Sequence, residues 1–372
     1  MRLGDFTGGV RAATVRAPRL GLVPETPEGE PRLKSRFTLG LLVSAVLLGL
    51  LGFVYRDQVA LSDLMESFRG ASVMGMVVVV VLHLAVLSLK AVRWDSVLRA
   101  VPHARGLPSQ RIEEDPTLRW LVFDSLFLGY FGNYVLPAKL GELGRSLLYS
   151  RRAEVAFPSV LATIVFERVV DASVLVAFFY LAVPFLSGVL PDWISQSAAI
   201  LALGSACGLL VLFVLFRRLP TDAQGGSGLV GRVVDLLGRF REGLSVLKSR
   251  GVALRAAGWT VLIWGVEIFS VYICILAFGF ETEALWTAAV LQTVISSFAI
   301  AAPSAPAGLG IHQWVTMIVL STVYGMPEND ALAVSLLVTG SVVFWTVPLG
   351  LFGLARQGAS MAELRGQVEA AG

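Results

Sequence analysis

Charged side chains are scarce in this chain. They make up 15% of its 372 residues, against about a quarter in soluble domains, which excludes a water-soluble globular fold. Apolar residues supply 55% of the sequence and mean hydropathy is +0.74. Cysteine is nearly absent. Cys207 and Cys274 each lie within an apolar run and read as small core residues, so a disulfide scaffold has no basis. The three histidines, His83, His103 and His312, are too scattered to suggest a metal centre, and no cofactor is expected. No nucleotide-binding loop of the G-x-x-x-x-G-K-[ST] type occurs, nor any Asp-x-Asp pair. No polar domain is large enough for a nucleotide-sugar or an aminoacyl-tRNA. These absences argue against an ATP-driven pump and against a glycosyl or aminoacyl transferase, so the chain is not expected to be an enzyme. The alternating ~10-residue strands of an outer-membrane barrel are missing too.

What is present is a series of apolar runs about 20 residues long, enough for helices to cross a ~30 Å hydrocarbon core. Residues 1–36 are rich in Arg, Gly and Pro and read as a disordered basic cytoplasmic tail. Spans are expected at 37–55, 73–93, 157–186, 197–216, 256–279 and 331–354. The second span returns inward to Lys90, Arg93, Arg99, Arg105, Arg111 and Arg119, and Arg217 and Arg218 end the fourth, while "SGVLPDWISQS" and "ETEA" lack basic residues. The positive-inside rule then places both termini in the cytoplasm, with 356–372 as a second tail. The pI near 9.0 reflects these basic loops, which orient the chain and meet anionic headgroups; no nucleic-acid partner is implied. In 229–249, Val233, Leu237, Phe240, Leu244 and Leu247 recur at helical spacing. They form an amphipathic cytoplasmic helix that lies either on the membrane surface or on the protein's own face.

Two apolar stretches, 118–136 and 285–303, stop at prolines. "PAKLG" (137–141) follows the first and "PAGLG" (306–310) the second. Three spans separate them, so they face opposite sides of the membrane. The expected fold is therefore all-α and polytopic, with six transmembrane helices plus two re-entrant helical hairpins. The halves, about 37–186 and 197–355, form an inverted repeat within one 37–355 domain. Eight full spans are the alternative. Gly/Pro-broken segments at matching places in inverted halves point to a transporter's binding site.

The charges cluster at these places. Beyond Pro137, a helix opening at Gly141 leaves free backbone N–H groups that suit an anion. Lys139 stands at the break, and Glu142 and Arg145 share a face and can pair. In the third span Glu167, Arg168 and Asp171 fall within one turn and sum to −1, inviting a cation, with Arg145 or Lys139 the obvious source. Each such charge costs ~2.5–3.5 kcal/mol at a helix centre, so these residues face protein or water. Glu267 is the only charge within the fifth span, and His83 and Lys90 lie seven apart on the second. His83 reads as a satisfied core histidine and Lys90 as a side chain reaching for the interface. Pro306, Gly308, Gly310, His312 and Gln313 offer the second hairpin backbone groups and neutral side chains, with no fixed positive charge.

These motifs carry a resemblance. "GYFGNYVLPAKLGELGRSLLYSRR", "ATIVFERVVDASV" and "PSAPAGLGIHQW" resemble the lysylphosphatidylglycerol synthetase transmembrane-region family, which is similar to the flippase half of the bacterial multiple peptide resistance factor. The most specific pieces are Asn133, Leu136, Pro137, Gly141, Glu142 and Arg145, then Glu167, Arg168 and Asp171. The resemblance covers roughly 37–355. It implies a protein of the cytoplasmic membrane that moves or positions amphipathic lipids: aminoacylated phospholipids, polyprenyl-linked sugars or hopanoids. The full synthetase's soluble aminoacyl-transfer domain has no counterpart among these residues, and Ala307 replaces an expected glycine. The expected function is a lipid flippase or scramblase, downhill or proton-coupled through Glu142, Glu167, Asp171 or Glu267. The alternatives are a non-catalytic partner of a separate lipid-modifying synthetase or a membrane transferase. Lipid identity and oligomeric state stay open.

Overall fold

The computed structural model describes residues 61–101, 116–135, 140–185, 192–218, 229–301 and 310–357. The N-terminal tail, the first expected span and the C-terminal tail beyond 357 lie outside them. So do Leu136, Pro137, Lys139, Pro306, Ala307 and Gly308.

Every regular element among the described residues is helical: α1 (Leu61–Gly70), α2 (Val73–Leu98), α3 (Leu121–Val135), α4 (Leu140–Ala153), α5 (Phe157–Ala182), α6 (Asp192–Arg218), α7 (Leu229–Gly243), α8 (Arg250–Ala277), α9 (Leu285–Ala301), α10 (Ile311–Met317) and α11 (Glu328–Arg356). Local chemistry sets several ends. Ser72 and Ser249 cap α2 and α8 by accepting from the N–H groups of Gly75 and Val252. Pro158 sits in the first turn of α5, where a missing N–H costs nothing. Helix α11 begins with Glu328 and Asp330 and ends with Arg356, charges that complement its dipole.

Three described helices, α2, α8 and α11, are long and apolar enough to span a bilayer by length and composition. At 26 residues α5 matches α2 in length, but it carries Glu167, Arg168 and Asp171. Large apolar side chains stand exposed along α6 and α8, among them Leu203, Leu210, Phe213, Leu254 and Phe269. A surface this apolar is suited to hydrocarbon rather than water.

A long helix, two short helices and a long helix occur in that order twice, as α2–α5 and as α8–α11. Packing repeats with the order. Helices α2 and α8 pack on each other, α3 packs on α11, and α9 packs on α5. The largest apolar cluster joins Val79, Phe179, Ile268, Ile275, Leu291, Leu320 and Val334 from both segments. Asp124 of α3 ties them at another point. It accepts from Arg356 Nε at 3.0 Å, from Arg356 Nη2 and from Gln357 Nε2 at 2.6 Å.

Four expectations need correction. The amphipathic helix does not run to 249: α7 ends at Gly243 and a 3-10 turn follows over Leu244–Lys248. It packs on the protein itself, with Ser159 of α5 donating to the Arg239 carbonyl at 2.8 Å and Arg241 donating to that of Phe216 at 2.8 Å. Its expected stripe divides, since Leu244 is buried while Val233 and Leu237 are exposed. Cys274 is buried as expected, but Cys207 is exposed on α6; a run that faces lipid is as apolar as one that faces a core. Lys90 does not reach outward. Its Nζ lies 5.5 Å from the ring centroids of both Tyr130 and Trp264. Arg93, expected at the basic inner end of its span, is buried with 2% exposure.

Candidate functional site

Arg93 is the centre of a buried ionic cluster. Arg93 stands at the end of the expected span, and helix α2 continues past it to Leu98, packing the Arg93 side chain into the protein between α5 and α8. Its Nε donates to Glu167 Oε1 at 3.2 Å, and its Nη2 to Asp171 Oδ2 at 3.3 Å. Its Nη1 donates to Asp171 Oδ1 and, at 2.9 Å, to Thr260 Oγ1 of α8. A planar guanidinium fork supplies these parallel donors where an ammonium could not.

The second cation is Arg145 of α4, 3% exposed. It donates to Glu167 Oε2 at 3.0 Å, and its guanidinium lies 4.8 Å from the centroid of the Trp94 ring. Glu167 is thus held by two arginines from different helices, and Asp171 also accepts from Trp264 Nε1 at 3.2 Å. Of the two expected cations for the α5 trio, Arg145 is in place and Lys139 lies outside the described residues, while Arg93, expected at the basic inner end of its span, joins it. Thr260 and Trp264 were missed as well; a Thr and a Trp in an apolar run give no periodic signal.

Arg168 differs from both. Its side chain is 44% exposed, and its ion pairs are long, 3.7 Å to Glu142 Oε1 and 3.6 Å to Asp171 Oδ2. Glu142 therefore faces Arg168 across the helix gap, while Arg145 turns to Glu167. The three arginines and three carboxylates balance. Arg93 is fully engaged and Arg145 is tied through Nη2, while among the described residues the third stands at the edge of the cluster with only distant partners.

Beside it, Gly129, Tyr130, Asn133, Glu142, Arg145 and Arg168 line a recess of about 10 Å³, close to the volume one water needs. Asn133 Oδ1 and Arg145 Nε have no hydrogen-bond partner there. Gly141 explains the close approach of α3 and α4: a Cβ at that position would run into the Gly129 carbonyl oxygen and Asn133.

The remaining candidates form a second group. Gly310 begins α10 with φ +86°, a conformation glycine adopts without strain, and its N–H donates to Gln313 Oε1 at 2.8 Å. Glu267 and His312 line a pocket of about 130 Å³ with Tyr134, Gln292, Thr293, Ser296 and Thr339. His83 is buried as expected but not satisfied: its Nε2, 3.6 Å from Glu267 Oε1, has no hydrogen-bond partner among the described residues. The structure therefore gathers Asn133, Gly141, Glu142, Arg145, Glu167, Arg168 and Asp171 into one site, and Glu267, Gly310 and His312 into another.

Comparison with known proteins bears on the chain as a whole. The family described as lysylphosphatidylglycerol synthase TM region matches residues 37–350. A UPF0104 membrane protein of Methanothermobacter thermautotrophicus is 25% identical over 331 residues, 81% of this chain and 90% of that protein. A UPF0104 membrane protein of Methanocaldococcus jannaschii is 24% identical over 230 residues, 58% of this chain and 94% of that one. Glycosyltransferase AglD of Haloferax volcanii is 22% identical over 345 residues. That match takes in 82% of this chain but 52% of AglD, so the chain spans about half of that relative. No solved structure matches.

Proposed function

We propose that this chain, which belongs to the lysylphosphatidylglycerol synthase TM region family, is a lipid flippase or scramblase of the cytoplasmic membrane and not an enzyme. The observation that carries the proposal is Arg168. A half-exposed guanidinium with no ion pair shorter than 3.6 Å among the described residues sits at the rim of an otherwise closed ionic cluster, beside a helix start and a small polar recess. Its planar fork suits a phosphate. A phospholipid or polyprenyl-phosphate headgroup would exchange the distant carboxylates for charge-assisted bonds, while its tails stay in lipid. Arg93 and Arg145 would hold the carboxylates in place and so keep Arg168 available.

The repeated helix order and packing support an inverted repeat of six spans and two re-entrant hairpins, with α3–α4 and α9–α10 as the hairpins. In such folds the halves rock about a site at the repeat interface. Here α2 and α8 meet at that interface, bearing Arg93, Lys90 and Thr260 on one side and His83 and Glu267 on the other.

The test is lipid movement in proteoliposomes, read by bleaching of fluorescent lipids in the outer leaflet across several headgroup classes. Bleaching beyond half of the label, faster than in empty vesicles, is expected for at least one phosphate-bearing class. Rates equal to those of empty vesicles for every class would sink the proposal. A second reading, a membrane partner of a lipid-modifying enzyme, is favoured by the match to half of a protein named glycosyltransferase. Copurification with such an enzyme, without lipid movement, would select it.

A further inference from the structure

The second pocket has chemistry of its own. Glu267 and Gln292 present unpartnered acceptors to it, His83 stands behind Glu267, and the hydrogen bonds around them fix which atoms are free. His83 Nδ1 lies 2.9 Å from the Val79 carbonyl oxygen, which can only accept, so Nδ1 carries the proton. Ser341 agrees with this assignment: its hydroxyl donates to the Val338 carbonyl at 2.8 Å and is left to accept from Nδ1 at 3.0 Å. In the neutral ring Nε2 is then a bare lone pair, and it faces Glu267 Oε1 at 3.6 Å. In that state two acceptors confront each other there.

Gln292 is fixed in the same way. Thr316 donates to the His312 carbonyl at 2.8 Å, so it must accept from Gln292 Nε2 at 3.1 Å. The same nitrogen contacts Ser296 Oγ and His312 Nε2 at 3.3 Å and 3.5 Å. His312 Nδ1 then donates towards Thr339 Oγ1 at 3.3 Å. With its nitrogen engaged, Gln292 has Oε1 left over. Among the described residues, Gln292 Oε1, Glu267 Oε2 and His83 Nε2 lack a hydrogen-bond donor and the Thr293 hydroxyl lacks any partner, although Gln292 and His83 are each 1% exposed. Acceptors buried without a donor are costly.

We propose that this pocket binds a monovalent cation on Glu267, either sodium or a proton shared with His83. One carboxylate with neutral amide and hydroxyl oxygens matches a single positive charge. Among the described residues no group of three or more His, Cys, Asp or Glu gathers as a metal site, so a divalent ion lacks its usual ligands. About 130 Å³, on the scale where one water takes about 10–15 Å³, leaves room for a sodium ion together with several waters. The other titratable groups facing the pocket are Tyr134 from α3 and His312 from α10. Lys90, on the same helix as His83, is held over Tyr130 and Trp264. The site needs no lipid movement in order to bind, so it stands or falls apart from the flippase reading.

The experiment uses the full chain in detergent, melted in NaCl, KCl or choline chloride at constant ionic strength. Sodium binding raises the melting midpoint saturably by about 3 °C or more. Glu267→Gln and, separately, Gln292→Met abolish the rise, and lowering the pH weakens it by competition. If sodium does nothing, infrared difference titration reads the second occupant: a protonated carboxyl band that Glu267→Gln removes assigns a proton. A sodium shift that persists in both variants overturns the proposal. So does the absence of both the sodium shift and a Glu267 carboxyl band.

Discussion

Replacing Arg93 by Met keeps the length of the side chain and removes its charge. Glu167 then retains Arg145, but Asp171 keeps only Trp264 and the distant Arg168. Both carboxylates are buried, Glu167 at 2% exposure and Asp171 at 5%. Breaking a buried pair from one side costs about 3–5 kcal/mol, because the remaining charge is left uncompensated. At roughly 2–3 °C per kcal/mol for a domain of this size, the melting midpoint should fall by about 6–15 °C. Arg168→Ala removes a half-exposed side chain from two long pairs and should cost no more than about 1 kcal/mol. The assay is thermal unfolding in detergent, followed by the fluorescence of the chain's eight tryptophans. Trp94 and Trp264 lie beside the cluster. Adding Asp171→Asn to Arg93→Met removes the orphaned charge and should recover part of the loss through a coupling of about 0.5–3 kcal/mol. Equal midpoints for Arg93→Met and Arg168→Ala would refute this division of roles between the arginines.

Three further outcomes follow from the same geometry. Asp124→Ala deprives Arg356 and Gln357 of their shared acceptor and should cost about 2–4 kcal/mol, read as a lower melting midpoint; Asp124→Asn should cost less. Gly141→Val drives a side chain into the Gly129 carbonyl and Asn133, and overpacking of about 1–3 kcal/mol should appear as a drop in folded yield on size-exclusion chromatography. A small membrane-permeant maleimide should label Cys207 in the folded protein and Cys274 only after unfolding, which mass spectrometry of the two peptides would resolve.

Much of the scaffold was legible because apolar run length and proline position act locally. The ends of α3 and α9 fall two residues before Pro137 and Pro303, and the α5 trio declared itself through the cost of placing charge in an apolar run. The partner of that trio was hidden. Arg93 ends an apolar run and precedes more basic residues, so the positive-inside rule claimed it; only the packing of α2 against α5 and α8 shows it buried. Asp124 and Arg356 were separately unremarkable, and their pairing depends on α3 crossing α11. Lys90 was read as an interfacial lysine because Tyr130 and Trp264, which receive it, lie far away in sequence. Cys207 shows the converse limit. Hydropathy measures aversion to water, and a lipid-facing side chain has as much of it as a core one. The unpaired acceptors around Glu267 could not be read from the sequence at all, since they emerge only when hydroxyl and amide donors are traced to their partners.

The claim that a headgroup engages Arg168 is tested most directly by lipid movement in proteoliposomes holding equal amounts of wild type and Arg168→Ala. Both proteins should be folded to the same melting midpoint within about 2 °C. The expected result is a rate for the phosphate-bearing lipid that falls at least about tenfold in Arg168→Ala, consistent with loss of a charge-assisted bond, and that Arg168→Lys partly restores. An Arg168→Ala protein that moves lipid as fast as wild type would contradict the account.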